Sequence, residues 1–178
     1  MVLLDILIIG MLLLIVTIVI TALGHLWVAT PFVPTATKVA EAMIDCAEFK
    51  GNETAYDLGA GDGKILIHAK RRFPGITAKG YEIALGVWFF GLIRIFLSRT
   101  GAQLFWRDAL KQNLRDADVI FLYLLPHMMR RCAEKFDREL RPGTKVISHA
   151  FQFHGKEPMA QHVIPVGRSQ KKVFVYQW

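Results

Sequence analysis

Positive charge is missing from the start of this 178-residue chain: no Lys or Arg precedes Lys38, and Ile6 to Gly24 carries no charge of either sign. The first absence argues against a cleavable secretory signal, which opens on a basic segment ahead of a shorter apolar core. The second leaves a run rich in Leu, Ile and Val. Carried through Trp27, it is long enough to cross a ~30 Å hydrocarbon layer as a helix, with Trp27 at the level of the headgroups. Cysteine is scarce as well. Cys46 and Cys132 lie far apart and form no CxxC, which excludes a disulfide framework and a zinc site and leaves reduced core thiols. The chain has no internal repeat and no low-complexity tract, and its length suits one domain of ordinary size behind the apolar segment.

What is present is apolar and basic. Hydrophobic residues make up 53% of the chain and the formal net charge is +7. The first 28 residues contribute only Asp5 to that balance, so the remainder carries +8. Such a domain favours anionic surfaces, lipid headgroups or nucleic acid, although a basic balance is also common where no such partner exists.

The stretch YDLGAGDGK, Tyr56 to Lys64, organises the rest. It reads as the end of a buried strand, a tight turn and the first turn of a helix. Gly59, Gly61 and Gly63 let the backbone bend and approach a ligand without a Cβ in the way, and the helix start supplies free N–H groups. Two acids flank these glycines, Asp57 and Asp62. A pyrophosphate cradle would not place acids there, whereas a site for S-adenosylmethionine (SAM), which carries a sulfonium and an ammonium, would. The dinucleotide fingerprint G-x-G-x-x-G is the nearest competitor. Counted from Gly59, its last glycine falls on Lys64. Two further strand-like runs end in acids. TAKGYEI carries Glu82 at the distance of a ribose-binding carboxylate, and AQLFWRD ends in Asp108, placed for the exocyclic amine of adenine. In an open α/β sheet the three strand ends share one crevice. The plainer alternative is three loop acids at ordinary surface positions.

Along the chain, Pro31 and Pro34 mark an extended linker, and Thr35 or Thr37 is placed to cap a helix using Val39, Met43, Ile44 and Ala47 as its apolar face. A strand spans Thr54 to Leu58, and a basic helix spans Gly63 to Phe73, its Lys70, Arg71 and Arg72 favouring the C-terminal dipole. The segment Ala84 to Ser98 is unusually apolar but interrupted by Gly91 and Arg94. It reads equally as a helix lying in a membrane interface and as a core helix with one exposed arginine. A third strand runs from Gln103 to Arg107. VIFLYLLP has the continuous apolar run of a central parallel strand, Pro126 opens a helix to Leu140, TKVISHAFQF is a further strand, and the tail is a hairpin turning near Gly167 to Gln170. The alternation predicts an α/β fold: a Rossmann-like, doubly wound, mostly parallel seven-stranded sheet with a C-terminal antiparallel hairpin, preceded by one transmembrane helix. The expected parts are an anchor over 1–28, a linker and pre-domain helix over 29–50, and a SAM-dependent domain over 51–178.

With these motifs in hand, the chain resembles the class I, seven-stranded SAM-dependent methyltransferases, and more narrowly the small membrane-anchored lysine methyltransferases of mitochondria and their prokaryotic relatives. The resemblance rests on the apolar N-terminal run, PFVPT after it, YDLGAGDGK, GYEI, YLLP before a helix, and RPGTKVISHAF before the final hairpin. It implies that Asp57, Gly59 and Gly61 form the SAM motif proper, that Glu82 holds the ribose hydroxyls, that Asp108 meets the adenine with Ala109 and Leu110 beside it, and that Thr35 closes over the methionine end. The chain departs from the family where Glu82 is followed by Ile83-Ala84-Leu85 in place of a nearby Asn-Pro. Leu124-Leu125-Pro126 also replaces the Asn-Pro-Pro-Tyr of DNA adenine and glutamine methylases, which argues against those substrates.

Methyl transfer is an in-line displacement that needs the acceptor held along the S–CH3 axis. A lysine must first lose its proton, which a low-dielectric pocket favours. Tyr123, His127 and His149 fall at or just after strand ends and are the candidates near the methyl group, with His127 able to accept a proton. A satisfied core or helix-start polar residue is the alternative for each, and no catalytic base is assigned. The expected protein is a single-pass membrane protein with its catalytic domain on the cytoplasmic side, by the positive-inside rule. It would methylate a protein lysine near the bilayer, with no metal and no nucleic-acid partner. The competing readings are a small-molecule or lipid methyltransferase and a SAM-binding membrane protein without transferase activity.

Overall fold

A computed structural model describes residues 2–27 and 32–178, with the backbone alone for 2–3 and 20–27. Seven strands form one sheet: β1 (Thr54–Leu58), β2 (Thr77–Glu82), β3 (Gln103–Trp106), β4 (Val119–Leu122), β5 (Lys145–His149), β6 (Ala160–Val166) and β7 (Ser169–Gln177). Their order is β3-β2-β1-β4-β5-β7-β6. β1 to β5 are parallel neighbours, while β7 runs antiparallel between β5 and β6. The expected mixed seven-stranded sheet is therefore present. The hairpin does more than add a strand at the edge, because β7 inserts inside the sheet and β6 becomes the border.

The helices are α1 (Val2–Trp27), α2 (Thr37–Ala47), α3 (Lys64–Arg72), α4 (Leu85–Ser98) and α5 (Pro126–Glu139). α2, α3 and α4 cover one face, where Met43, Ile44, Leu66 and Ile95 pack with Phe121 and Ile147. α5 covers the other, where Met129, Cys132 and Phe136 meet Ile120, Leu122 and Val146. Successive residues of β4 thus serve opposite cores, as the period of a strand dictates, and its uninterrupted apolar run follows from burial on both faces. Strand order reverses between β1 and β4, which opens a crevice at their C-terminal ends.

The helix expected over 1–28 is present as α1, but it is not established as a transmembrane span. Among the described residues no helix is long and apolar enough to cross a membrane. The interfacial role of the Trp27 side chain, the linker residue Pro31 and the 28–29 boundary lie outside the described residues. Two smaller expectations are corrected. The N-cap of α2 is Ala36, with no side-chain cap bond; its carbonyl accepts from the Val39 and Ala40 amides. β5 stops at His149, because Ala150 takes a positive φ of 71° and turns the chain away.

Candidate active site

The crevice holds a cavity of about 200 Å³. Every residue expected to bind cofactor lines it: Thr35, Asp57, Gly59, Gly61, Asp62, Glu82, Asp108 and Ala109. Three parallel strands put the acids there. In-register pairing sets Asp57 opposite Gly80, so Glu82 projects beyond the end of β1, and Glu82 pairs with Trp106, so Asp108 follows two residues later.

The glycine loop is bent by left-handed residues, with φ of 79° at Gly59, 56° at Gly61 and 72° at Gly63. Space is short as well. A Cβ on Gly61 would stand 2.6 Å from the Phe32 ring, and one on Gly63 would stand 2.9 Å from Ile95. The loop is therefore sandwiched between the pre-domain segment and α4, with Gly63 capping α3.

The three strand-end acids differ in their partners. Glu82 is 8% exposed, and its carboxylate accepts three backbone N–H groups: Gly61 at 2.9 Å, Ile83 at 2.8 Å and Ala84 at 2.7 Å. It fixes the glycine loop to the start of α4, and with about four lone-pair sites on a carboxylate it keeps capacity for a hydroxyl donor. Asp108 accepts from the Leu110 amide at 2.9 Å, capping the 3-10 turn Ala109–Lys111. Asp57 is 3% exposed, faces the cavity and has no hydrogen-bond donor among the described residues. Burial, reinforced by the nearby Glu82 and Asp62 charges, pushes its carboxyl up to about 8. A buried carboxyl without a partner at the mouth of a glycine loop fits a ligand that brings a cation.

Asp62 departs from the sequence expectation. It lines the cavity, but its carboxylate is ion-paired with Arg94 of α4 and accepts the Lys64 amide at 3.2 Å. It locks α4 to the loop and is not a free charge for the ligand. In the sequence Arg94 is only an interruption of an apolar helix; its partner lies 32 residues away, beyond any local pattern. Nor does any local pattern signal that the Lys64 ammonium holds the Thr35 carbonyl, at 2.6 Å. That bond and the Phe32 ring over Gly61 draw the pre-domain segment across the cavity.

Of the catalytic candidates, only Tyr123 lines the cavity. Its ring lies 4.1 Å from that of His149 and 6.4 Å from that of Phe151, centroid to centroid. His149 sits behind Tyr123, 3% exposed, and neither ring nitrogen meets a partner among the described residues. Burial, with a smaller effect of Lys171, lowers it to about 4, so it is neutral at physiological pH. His127, at the start of α5, is exposed and lies outside the cavity wall. The three candidates therefore do not form one site. Cys132 lines the cavity as a buried thiol that burial pushes up to about 12, which makes it unreactive. Among the described residues no group of side chains could hold a metal ion.

A seven-stranded sheet of this order, with a glycine loop after β1 and acids closing β1, β2 and β3, defines a class I SAM-dependent methyltransferase. The chain belongs to the family of the ANTKMT methyltransferase domain, whose model matches residues 57–160. It is 32% identical over 148 residues to a protein-lysine N-methyltransferase of Saccharolobus islandicus, covering 82% of this chain and 92% of that protein. It is also 29% identical over 151 residues to the adenine nucleotide translocase lysine N-methyltransferase of Mus musculus, where the match covers 82% of this chain but only 62% of the relative. Among solved structures, an RNA methyltransferase from Salinibacter ruber in complex with S-adenosyl-L-homocysteine superposes with a TM-score of 0.74 at 26% identity, over 82% of this chain and 93% of that one.

Proposed function

We propose that this chain transfers a methyl group from SAM to the side-chain amine of a protein lysine held near a membrane. The observation that carries the cofactor site is Asp57, a buried carboxyl that faces the cavity with no donor of its own among the described residues. Asp57 would take the ammonium of SAM, with Gly59 and Gly61 admitting its backbone. Glu82 would accept the ribose hydroxyls, Asp108 would meet the adenine amine beside Ala109, and Thr35, held by Lys64, would close the methionine end. Bound SAM supplies a methyl group on a cationic sulfur. The amine lone pair forms the N–CH3 bond as the S–CH3 bond breaks, the sulfur leaves as a neutral thioether, and the methylated nitrogen returns its proton to solvent.

The lysine acceptor is supported by the archaeal and mouse relatives, both lysine methyltransferases by name. The apolar wall of Tyr123, Leu124, Leu125, Met128 and Phe151 suits an alkyl chain and favours the neutral amine that must attack. The membrane is supported by α1, whose described side chains are apolar apart from Asp5 and Thr17, and exposed. With the basic domain following it, the positive-inside rule puts that domain on the cytoplasmic side.

The test is transfer of labelled methyl from SAM by the full chain into membrane fractions, followed by acid hydrolysis. Label recovered as methyl-lysine supports the reading. Label extracted with lipid or released by nuclease contradicts it, the latter favouring the RNA acceptor named for the solved neighbour.

A further inference from the structure

α4 presents an unusual face to the outside. Its inner side is Val87, Gly91 and Ile95, with Trp88, Arg94 and Ser98 half-buried. Its exposed positions are Leu85, Gly86, Phe89, Phe90, Leu92, Ile93, Phe96 and Leu97. None is polar, and Phe96 and Leu97 are 80% and 71% exposed. A helix on the surface of a water-soluble domain carries polar residues at these positions; here the stripe that should meet water is the most apolar part of the domain surface.

We propose that this face of α4 docks into the interface of a lipid bilayer. Three observations select lipid over a second protein. α4 touches α1, whose described side chains form a second exposed apolar surface, so the two surfaces share one environment. The stripe is bordered by interfacial chemistry: Arg99 stands exposed at its C-terminal end, and Trp106, 55% exposed, donates its indole N–H to the Ile83 carbonyl at 2.9 Å beside its N-terminal end. The chain's net charge of +7 complements anionic headgroups. Docking also has a consequence for the site. Ile83, next to the stripe, and Phe32 and Val33 line the cavity and are themselves exposed, so a docked α4 brings the mouth of the cavity to the membrane surface. This inference shares the membrane with the proposed function but does not require α1 to span it.

The test uses the full chain with Cys46→Ser and Phe96→Cys carrying an environment-sensitive fluorophore. It is mixed with phosphatidylcholine–phosphatidylglycerol vesicles containing a spin-labelled lipid quencher; the same label at Arg138→Cys on α5 is the control. Vesicle flotation reads the anchor, and quenching at position 96 reads the docking. Strong quenching at 96 and little at 138 supports the proposal, whether or not α1 spans. Flotation without quenching at 96 leaves the anchor and overturns the docking. A change at 96 that occurs without lipid and follows protein concentration overturns it in favour of a second copy. Phe89→Glu in the labelled chain, with its fold checked by SAM binding, is expected to abolish the quenching at position 96; unchanged quenching contradicts the proposal.

Discussion

At the residue scale, three acids that look alike in the sequence have three different surroundings. Asp57, Glu82 and Asp108 were legible because each closes a strand, and a parallel sheet brings such ends together. Their states were not legible, since these depend on neighbours set by the fold. Glu82 receives three backbone N–H groups, two from the residues just after it and one from Gly61. Glu82→Ala is therefore expected to weaken SAM binding by about tenfold or more and also to lower stability by about 1–3 kcal/mol, because buried amides lose their acceptor. Calorimetry paired with urea unfolding checks both; unchanged affinity contradicts the ribose assignment. Asp62 shows the limit of reading charge from sequence. Its spacing beside the glycines suggested a ligand for the cationic cofactor, but Arg94, reached only when α4 packs on the loop, satisfies it instead.

At the element scale, α4 explains why the glycine pattern departs from the dinucleotide fingerprint. Gly63 is needed where Ile95 presses on the loop, and Gly91 lets the α4 backbone approach Gly61. A Cβ on Gly91 would stand 2.7 Å from Leu104 and 2.8 Å from the Gly61 carbonyl. Gly91→Ala should thus act against its own helix propensity: the fold loses about 1–3 kcal/mol by overpacking, and SAM affinity falls because the loop moves. Thermal unfolding with and without SAM checks this, and a stabilised variant with full affinity contradicts it. The apolar run over 84–98 was visible in the sequence, but its two readings could not be separated there. A core helix and an interfacial helix have the same composition and differ only in which face the sheet covers.

At the scale of the whole molecule, two buried titratable groups pull stability in opposite directions as pH changes. Asp57 is raised to about 8, so the folded state holds its proton more tightly than the unfolded chain, and its effect is a loss of stability as pH rises from about 4 to 8. His149 is lowered to about 4, so its effect is a loss of stability as pH falls from about 6.5 to 4. Asp57→Asn should raise the stability of the SAM-free protein at pH 8 by on the order of a few kcal/mol, with little change at pH 4. His149→Phe should flatten the acid side. Urea unfolding across pH 4 to 9 checks both signs. The measurement that bears most directly on the account is SAM titration of the full chain by calorimetry at pH 7, in two buffers of different ionisation enthalpy, with NAD as control. If the cavity takes SAM with its cationic end on Asp57, SAM binds and NAD does not, and proton release makes the heat buffer-dependent; Asp57→Asn removes that dependence and weakens binding. Buffer-independent heat with unchanged affinity in Asp57→Asn would contradict the central claim.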